Sequence, residues 1–161
     1  MPADSDPAQA AGPAAPKLPR TWRPFGVRVA VWVFGAMLLA LLVAVWIGLG
    51  AETRSQFTTF QRGTLVFMAL LLGAAYNALV RSRVTATEEG LTVVNGYRKR
   101  TYEWSQVIGV QLRRGAPWGT LDLSDGSTLA LIGVQGSDGE RARRAVREIR
   151  ATIAANTPDQ G

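Results

Sequence analysis

The hydrophobic pattern of this chain has three regimes, each with its own period. Residues 29–51 contain no charged side chain, and neither do residues 63–80, which lie between Arg62 and Arg81. As helices these runs measure about 34 Å and about 27 Å, enough to cross a bilayer core of about 30 Å. The pattern therefore predicts two transmembrane helices joined by a short polar connection at 52–62. A helical hairpin buried inside a soluble protein would need a larger core than the rest of the chain can build. A cleavable signal peptide is the rival for the first run, but its apolar region should span about 7–15 residues and end in a small-x-small site. Leu49, Gly50 and Ala51 offer only a poor one.

From Arg83 the period drops to two, the mark of half-buried strands. Val84 and Ala86 alternate with polar neighbours, Glu88, Glu89 and Gly90 form a turn, 91–94 a second strand, and Asn95 with Gly96 the next turn. Strands at 100–103 and 107–112 follow, separated by Trp104, Ser105 and Gln106, and 115–117 make another turn. Ser124, Asp125 and Gly126 read as a three-residue hairpin loop with the glycine in the left-handed position. That register sets Leu121 opposite Leu129 and gives Leu121, Leu123, Leu129 and Leu131 one face; a two-residue loop would split them. After Gly136 the period becomes helical: Ala142, Ala145, Val146, Ile149 and Ile153 share a stripe, with Ser137 or Asp138 as the cap.

The expected fold class is α+β. A two-helix transmembrane hairpin (25–81) precedes a small antiparallel barrel or sheet of about six strands capped by a C-terminal helix at 138–156, the whole domain covering 82–157. Residues 1–24, rich in Ala and with six prolines, are expected to be a disordered tail, and 158–161 a second one.

Charge adds a direction. The chain carries 18 Lys plus Arg against 12 Asp plus Glu, and beside a membrane such an excess favours lipid headgroups over nucleic acid as the anionic partner. Four basic residues (Lys17, Arg20, Arg23, Arg28) precede the first span, Arg54 and Arg62 lie in the connection, and Arg81, Arg83, Arg98, Lys99 and Arg100 follow the second. The bias predicts a multi-pass cell-membrane protein with both termini cytoplasmic. Trp22, Trp32 and Trp46 lie where interfacial anchors would. Small residues at Ala36, Ala40, Ala44 and Gly48, and at Ala69, Gly73 and Asn77, form rows suited to helix packing. Asn77 reads as interhelical glue before it reads as part of a solute pathway. The arginines of the last helix (Arg141, Arg143, Arg144, Arg147, Arg150) read as its solvated face, ahead of a contact with anionic lipid or protein and well ahead of nucleic acid.

The string VTATEEGLTVVNGYRKRTYEWSQVIGVQL, then LDLSDGSTLALIG and a terminal helix, resembles the bacterial pleckstrin-homology (PH)-like domains, in particular the actinobacterial low molecular weight protein antigen 6 family. Glu89 with Gly90, Trp104 followed by Val107 and Ile108, and Asp125 with Gly126 carry the likeness; all are scaffold features. The resemblance implies a PH-like fold. In the eukaryotic lipid-binding members, basic residues in the loop between the first two strands hold the headgroup. Here that loop is expected to be 87–90, with Glu88 and Glu89 in it, which argues against that mode.

The chain contains no Cys and no His, which removes the thiolate, the imidazole base and the usual zinc and haem ligands. Apart from Glu88 and Glu89 its carboxylates are scattered, and 115–119 is turn chemistry, unlike a phosphate-binding loop. We therefore expect no catalytic, cofactor-binding or metal site, no small-molecule substrate and no cofactor. The expected function is a non-catalytic, membrane-tethered binding or scaffolding module that engages a protein partner or anionic lipid headgroups. Candidate contacts are Tyr97, Arg98, Lys99 and Arg100, either at the leaflet or on a solvated hairpin tip, together with Arg113 and Arg114. Trp118, next to that second pair, is expected in the core. The alternative is a subunit of a small oligomeric transporter or channel, which spans free of ionisable residues disfavour. Partners would be the bilayer, a membrane protein or a second copy of the chain.

Overall fold

The computed structural model describes residues 15–157. The order of elements is β1 (Arg20–Trp22), α1 (Phe25–Gly48), α2 (Ala51–Ser55), α3 (Thr59–Arg81), β2 (Arg83–Ala86), β3 (Gly90–Asn95), β4 (Arg98–Glu103), β5 (Val107–Gln111), β6 (Trp118–Leu123), β7 (Thr128–Gln135) and α4 (Glu140–Asn156). These divide into two compact units, the helical segment Phe25–Arg81 and a domain formed by the residues on either side of it.

In the helical unit, α1 and α3 are both long and apolar enough to cross a membrane. Neither buries a residue, so neither is the core helix of a soluble fold. Pro24 immediately precedes α1, Gly48 is its last residue and Gly50 follows, which moves the helix upstream of the 29–51 run. α3 starts a turn before the 63–80 run because Thr58 and Gln61 cap it reciprocally: the Thr58 N–H donates to Gln61 Oε1 (3.0 Å) and the Gln61 N–H to Thr58 Oγ1 (3.3 Å). The connection is not a plain loop, since it holds α2, and Phe57 meets Trp46 edge to face at 5.6 Å. The small-residue rows expected to pack are exposed throughout. A Cβ on Gly48 or Gly73 would meet nothing within 4 Å.

The domain is α+β, as expected, and it gains a strand. Its strands form two antiparallel sheets, β1-β2-β3-β4 and β5-β6-β7, which do not close into a barrel. β7 meets β2 and β3, and α4 lies on β5 and β7. The added strand is β1, whose Arg20, Thr21 and Trp22 pair with Ala86, Thr85 and Val84. The expectation of a disordered tail through residue 24 is thus corrected for its last residues; residues 1–14 and 158–161 lie outside the described part. Trp22 is not an interfacial anchor. Its ring is buried among Val84, Ile149 and the rest of the core, and its Nε1–H donates to Glu148 Oε2 at 2.8 Å. Burying an indole with its one donor satisfied outweighs the weak strand tendency of the surrounding Pro-rich segment.

Trp22 and Val84 face each other across one ladder, so the chain leaves the domain and re-enters it on adjacent strands, with the whole helical unit between. The loop between the first two strands is therefore residues 23–82. The 87–89 turn joins β2 and β3, the first two strands after the helical unit, as expected, and the Trp104 indole holds it by donating to the carbonyls of Thr87 (3.2 Å) and Glu88 (3.1 Å).

Two contacts set how the sheets meet. A Cβ on Gly133 of β7 would lie 2.8 Å from Arg83 Cα, so only glycine permits the crossing of β7 over β2. Nearby, the Asn95 side chain donates to the Ala130 carbonyl (2.6 Å) and accepts from the Ile132 N–H (3.2 Å), satisfying the edge of β7 as a paired strand would. In the β6–β7 hairpin Leu121 pairs with Leu129, and Gly126 has φ +78°, the register that the leucines demand. The same alternation turns Trp118 outward, leaving it 43% exposed, contrary to the core position expected for it. Neither Ser137 nor Asp138 caps α4. Residues Gly136–Asp138 form a 3-10 turn and Gly139, at φ +57°, takes the cap position without a side chain.

These contacts generate two expectations. In a soluble chain that joins residues 15–24 to 82–157 through a short flexible linker, Trp22→Ala should lower stability by about 3–5 kcal/mol in urea denaturation. Unchanged stability would show β1 to be dispensable. Asp125 is held below the ordinary carboxylate range by hydrogen bonds from Ser127, side chain first and then backbone. This contribution is complete above the unfolded value of about 4 and is lost as pH falls through the lower folded value. The protection factor of the Ser127 amide, which donates to Asp125 Oδ1 at 2.8 Å, should fall over that window and show no such fall in Asp125→Asn.

Candidate functional site

The six candidate contact residues do not form one site. Gly96 and Tyr97 make the two-residue turn between β3 and β4, with φ +62° at Gly96 and a negative φ at Tyr97, as a type II′ hairpin requires. Tyr97 is exposed, as expected. The basic trio then divides by strand alternation. Arg98 and Arg100 pair with Asn95 and Val93, and Lys99 pairs with Val94, putting Lys99 on the opposite face. Arg98 and Arg100 border a cleft of about 320 Å³ with Asn95, Leu129 and Ile132.

Arg113 and Arg114 lie elsewhere, on the loop between β5 and β6. The Ala116 N–H donates to the Arg113 carbonyl (3.0 Å) and Gly115 sits at φ +82°, which makes 113–116 a type II turn with glycine at the position that needs it. The loop is backed by Gly136. Its N–H donates to the Pro117 carbonyl (2.9 Å), and a Cβ there would strike the Ala116 carbonyl oxygen.

Across from this loop runs the N-terminal half of α4, and between them opens a larger cleft, of about 700 Å³. Arg113 and Arg114 line one wall, and Arg143, Arg147 and Arg150 the other. Leu112, Pro117 and Val146 add apolar surface. Among the described residues no acidic side chain lines it. Glu140, at its edge, reaches Arg143 at 2.7 Å and Arg147 at 3.9 Å, but all three side chains are largely exposed, so these pairs contribute little. Arg150 is held differently: its Nε donates to the Val110 carbonyl at 2.8 Å, which fixes the stem while the terminal nitrogens remain as donors.

Reading α4 as one solvated basic face missed this convergence. The signal was present in the spacing, because positions 143, 147 and 150 follow i, i+4, i+7 and so share a stripe that Arg141 and Arg144 do not. What the sequence lacked was the partner of that stripe, the turn at 113–116.

Because the loop rests on Gly136, Gly136→Ala should displace it and destabilise the domain by about 1–3 kcal/mol. Hydrogen exchange should rise in 113–117 and stay unchanged in β2 and β3; an unaltered loop would show that the Gly136 contact does not position it.

Residues 81–152 match the family described as bacterial PH domain. An uncharacterized protein of Mycobacterium bovis and two of Mycobacterium tuberculosis strains are each 30% identical to this chain over 132 residues, which is 80% of this chain and 86% of each relative. No solved structure matches it. The seven strands in two sheets with a closing helix, the matched span and these relatives together establish that the chain belongs to the bacterial PH domain family.

Proposed function

We propose that this protein is a membrane-tethered, non-catalytic binding module that holds its PH-like domain at the cytoplasmic face of the cell membrane and engages a protein partner or anionic lipid headgroups there. The observation that carries this reading is the split domain. β1 precedes the two apolar helices, and the strand it pairs with follows them. Both flanks of the helical unit must then lie on one side of the bilayer, so if α1 crosses, α3 crosses back. Cleavage after α1 would remove β1 from its sheet, which counts against a signal peptide.

The basic residues at the two flanks, against Arg54 and Arg62 in the connection, support the cytoplasm as that side. Tethering raises the local concentration of the domain, so a weak interaction suffices for occupancy. The exposed small-residue rows of α1 and α3 support association with a membrane-protein partner or a second copy.

A reporter active only outside the cytoplasm, fused after Gly161, should be silent, and activity there would overturn the orientation. Crosslinking in native membranes should recover one stoichiometric protein or lipid partner. Recovery of self-crosslinks alone would move the assignment to an oligomeric transporter or channel subunit or to a purely structural protein.

A further inference from the structure

We infer that the arginine-lined cleft between the β5–β6 turn and α4 binds a phosphomonoester, with the dianionic phosphoryl group among the guanidiniums of Arg113, Arg114, Arg147 and Arg150. This inference rests on the reading of the domain as a binding module and names the chemistry of its ligand. Arginine as a residue type carries little information here, since 16 of the 18 basic residues are Arg. Their convergence carries it. Five guanidiniums repel one another across one concavity, and Glu140 at the rim relieves only Arg143 and Arg147. An anion in the cleft removes that repulsion, and a dianion with three terminal oxygens matches forked donors arriving from two walls.

Part of the site is held in place by the fold. The left-handed Gly115 and the contact of Gly136 with Ala116 hold one wall, and the Arg150–Val110 hydrogen bond holds a donor on the other. At about 700 Å³ the cleft falls in the range of small-molecule sites, about 300–1,000 Å³, and exceeds what a bare phosphate fills. Leu112, Pro117 and Val146 provide an apolar surface for the esterified part. A lipid headgroup and a soluble metabolite share this chemistry.

The test uses the full chain in nanodiscs. In one arm glycerol 3-phosphate is titrated onto phosphatidylcholine discs; in a second the discs contain phosphatidic acid; in a third a polyglutamate peptide replaces the phosphate. We expect slowed hydrogen exchange at both 112–117 and 140–150 in the first arm for a soluble ligand, or in the second alone for a headgroup. Arg113→Ala combined with Arg147→Ala should weaken binding about a hundredfold, about tenfold for each charged hydrogen-bonding group lost. Arg54→Ala with Arg62→Ala, in the connection between the two apolar helices, should leave it intact. If the alanine pair melts early, Arg113→Gln with Arg147→Gln takes its place.

Absence of protection in both phosphate arms overturns the inference, as does protection that survives the double substitution. Protection by polyglutamate alone also overturns it, in favour of an acidic protein segment. If the phosphate arms fail while a crosslinked partner is still recovered, the binding-module reading stands without this ligand. If alkaline carbonate strips the chain from membranes, the tether falls, and the soluble arm still decides the cleft.

Discussion

The indole of Trp22 is the contact on which the architecture turns. It lies in the core beside residues of β2 and α4, and its single donor is satisfied by Glu148, which Arg20 also reaches at 3.3 Å. Three residues of strand would not hold a chain end in place by backbone pairing alone, because ordering each residue costs about 1–2 kcal/mol. The buried ring supplies the missing stabilisation. Through it a segment before the two apolar helices becomes part of a sheet that is otherwise built from residues after them. The domain is therefore closed around an insertion, and its first and second strands are tied to the two ends of the helical unit.

The remaining packing follows from two close approaches. Gly133 lets β7 cross β2 at backbone contact, and Asn95 supplies to the β7 edge the hydrogen bonds that a neighbouring strand would have made. Together they join two sheets that have no shared ladder, so the core is completed by side chains and α4 instead of by barrel closure. The open geometry has a consequence for function. The loops at the margins remain free to present charge, and the turn at 113–116 does so opposite α4.

Charge in this domain is distributed by strand and helix geometry more than by composition. Arg98, Lys99 and Arg100 are consecutive and so cannot share a face on β4, whereas Arg113 and Arg114 meet arginines some 30 residues further along the chain. A run of basic residues in sequence is thus divided between two faces, and the larger concentration of positive charge comes from residues that look unrelated when read in order.

The sequence by itself determined the features that depend on local periodicity: two uncharged helical runs, six of the seven strands, the β6–β7 register and the apolar stripe of α4. Each rests on short-range constraints, namely helix length against bilayer thickness, alternation by two and the left-handed glycine at Gly126. The PH-like fold was legible for the same reason, since the turn glycines and Trp104 that carry the likeness act where they stand. Tertiary structure alone decided the rest. β1 was hidden in a Pro-rich tail because its stability comes from Glu148 and Val84, both far along the chain. Trp118 was misplaced because strand alternation, not hydrophobicity, sets its face. The arginine cleft exists only where the 113–116 turn meets α4, a juxtaposition that no periodicity within either segment encodes.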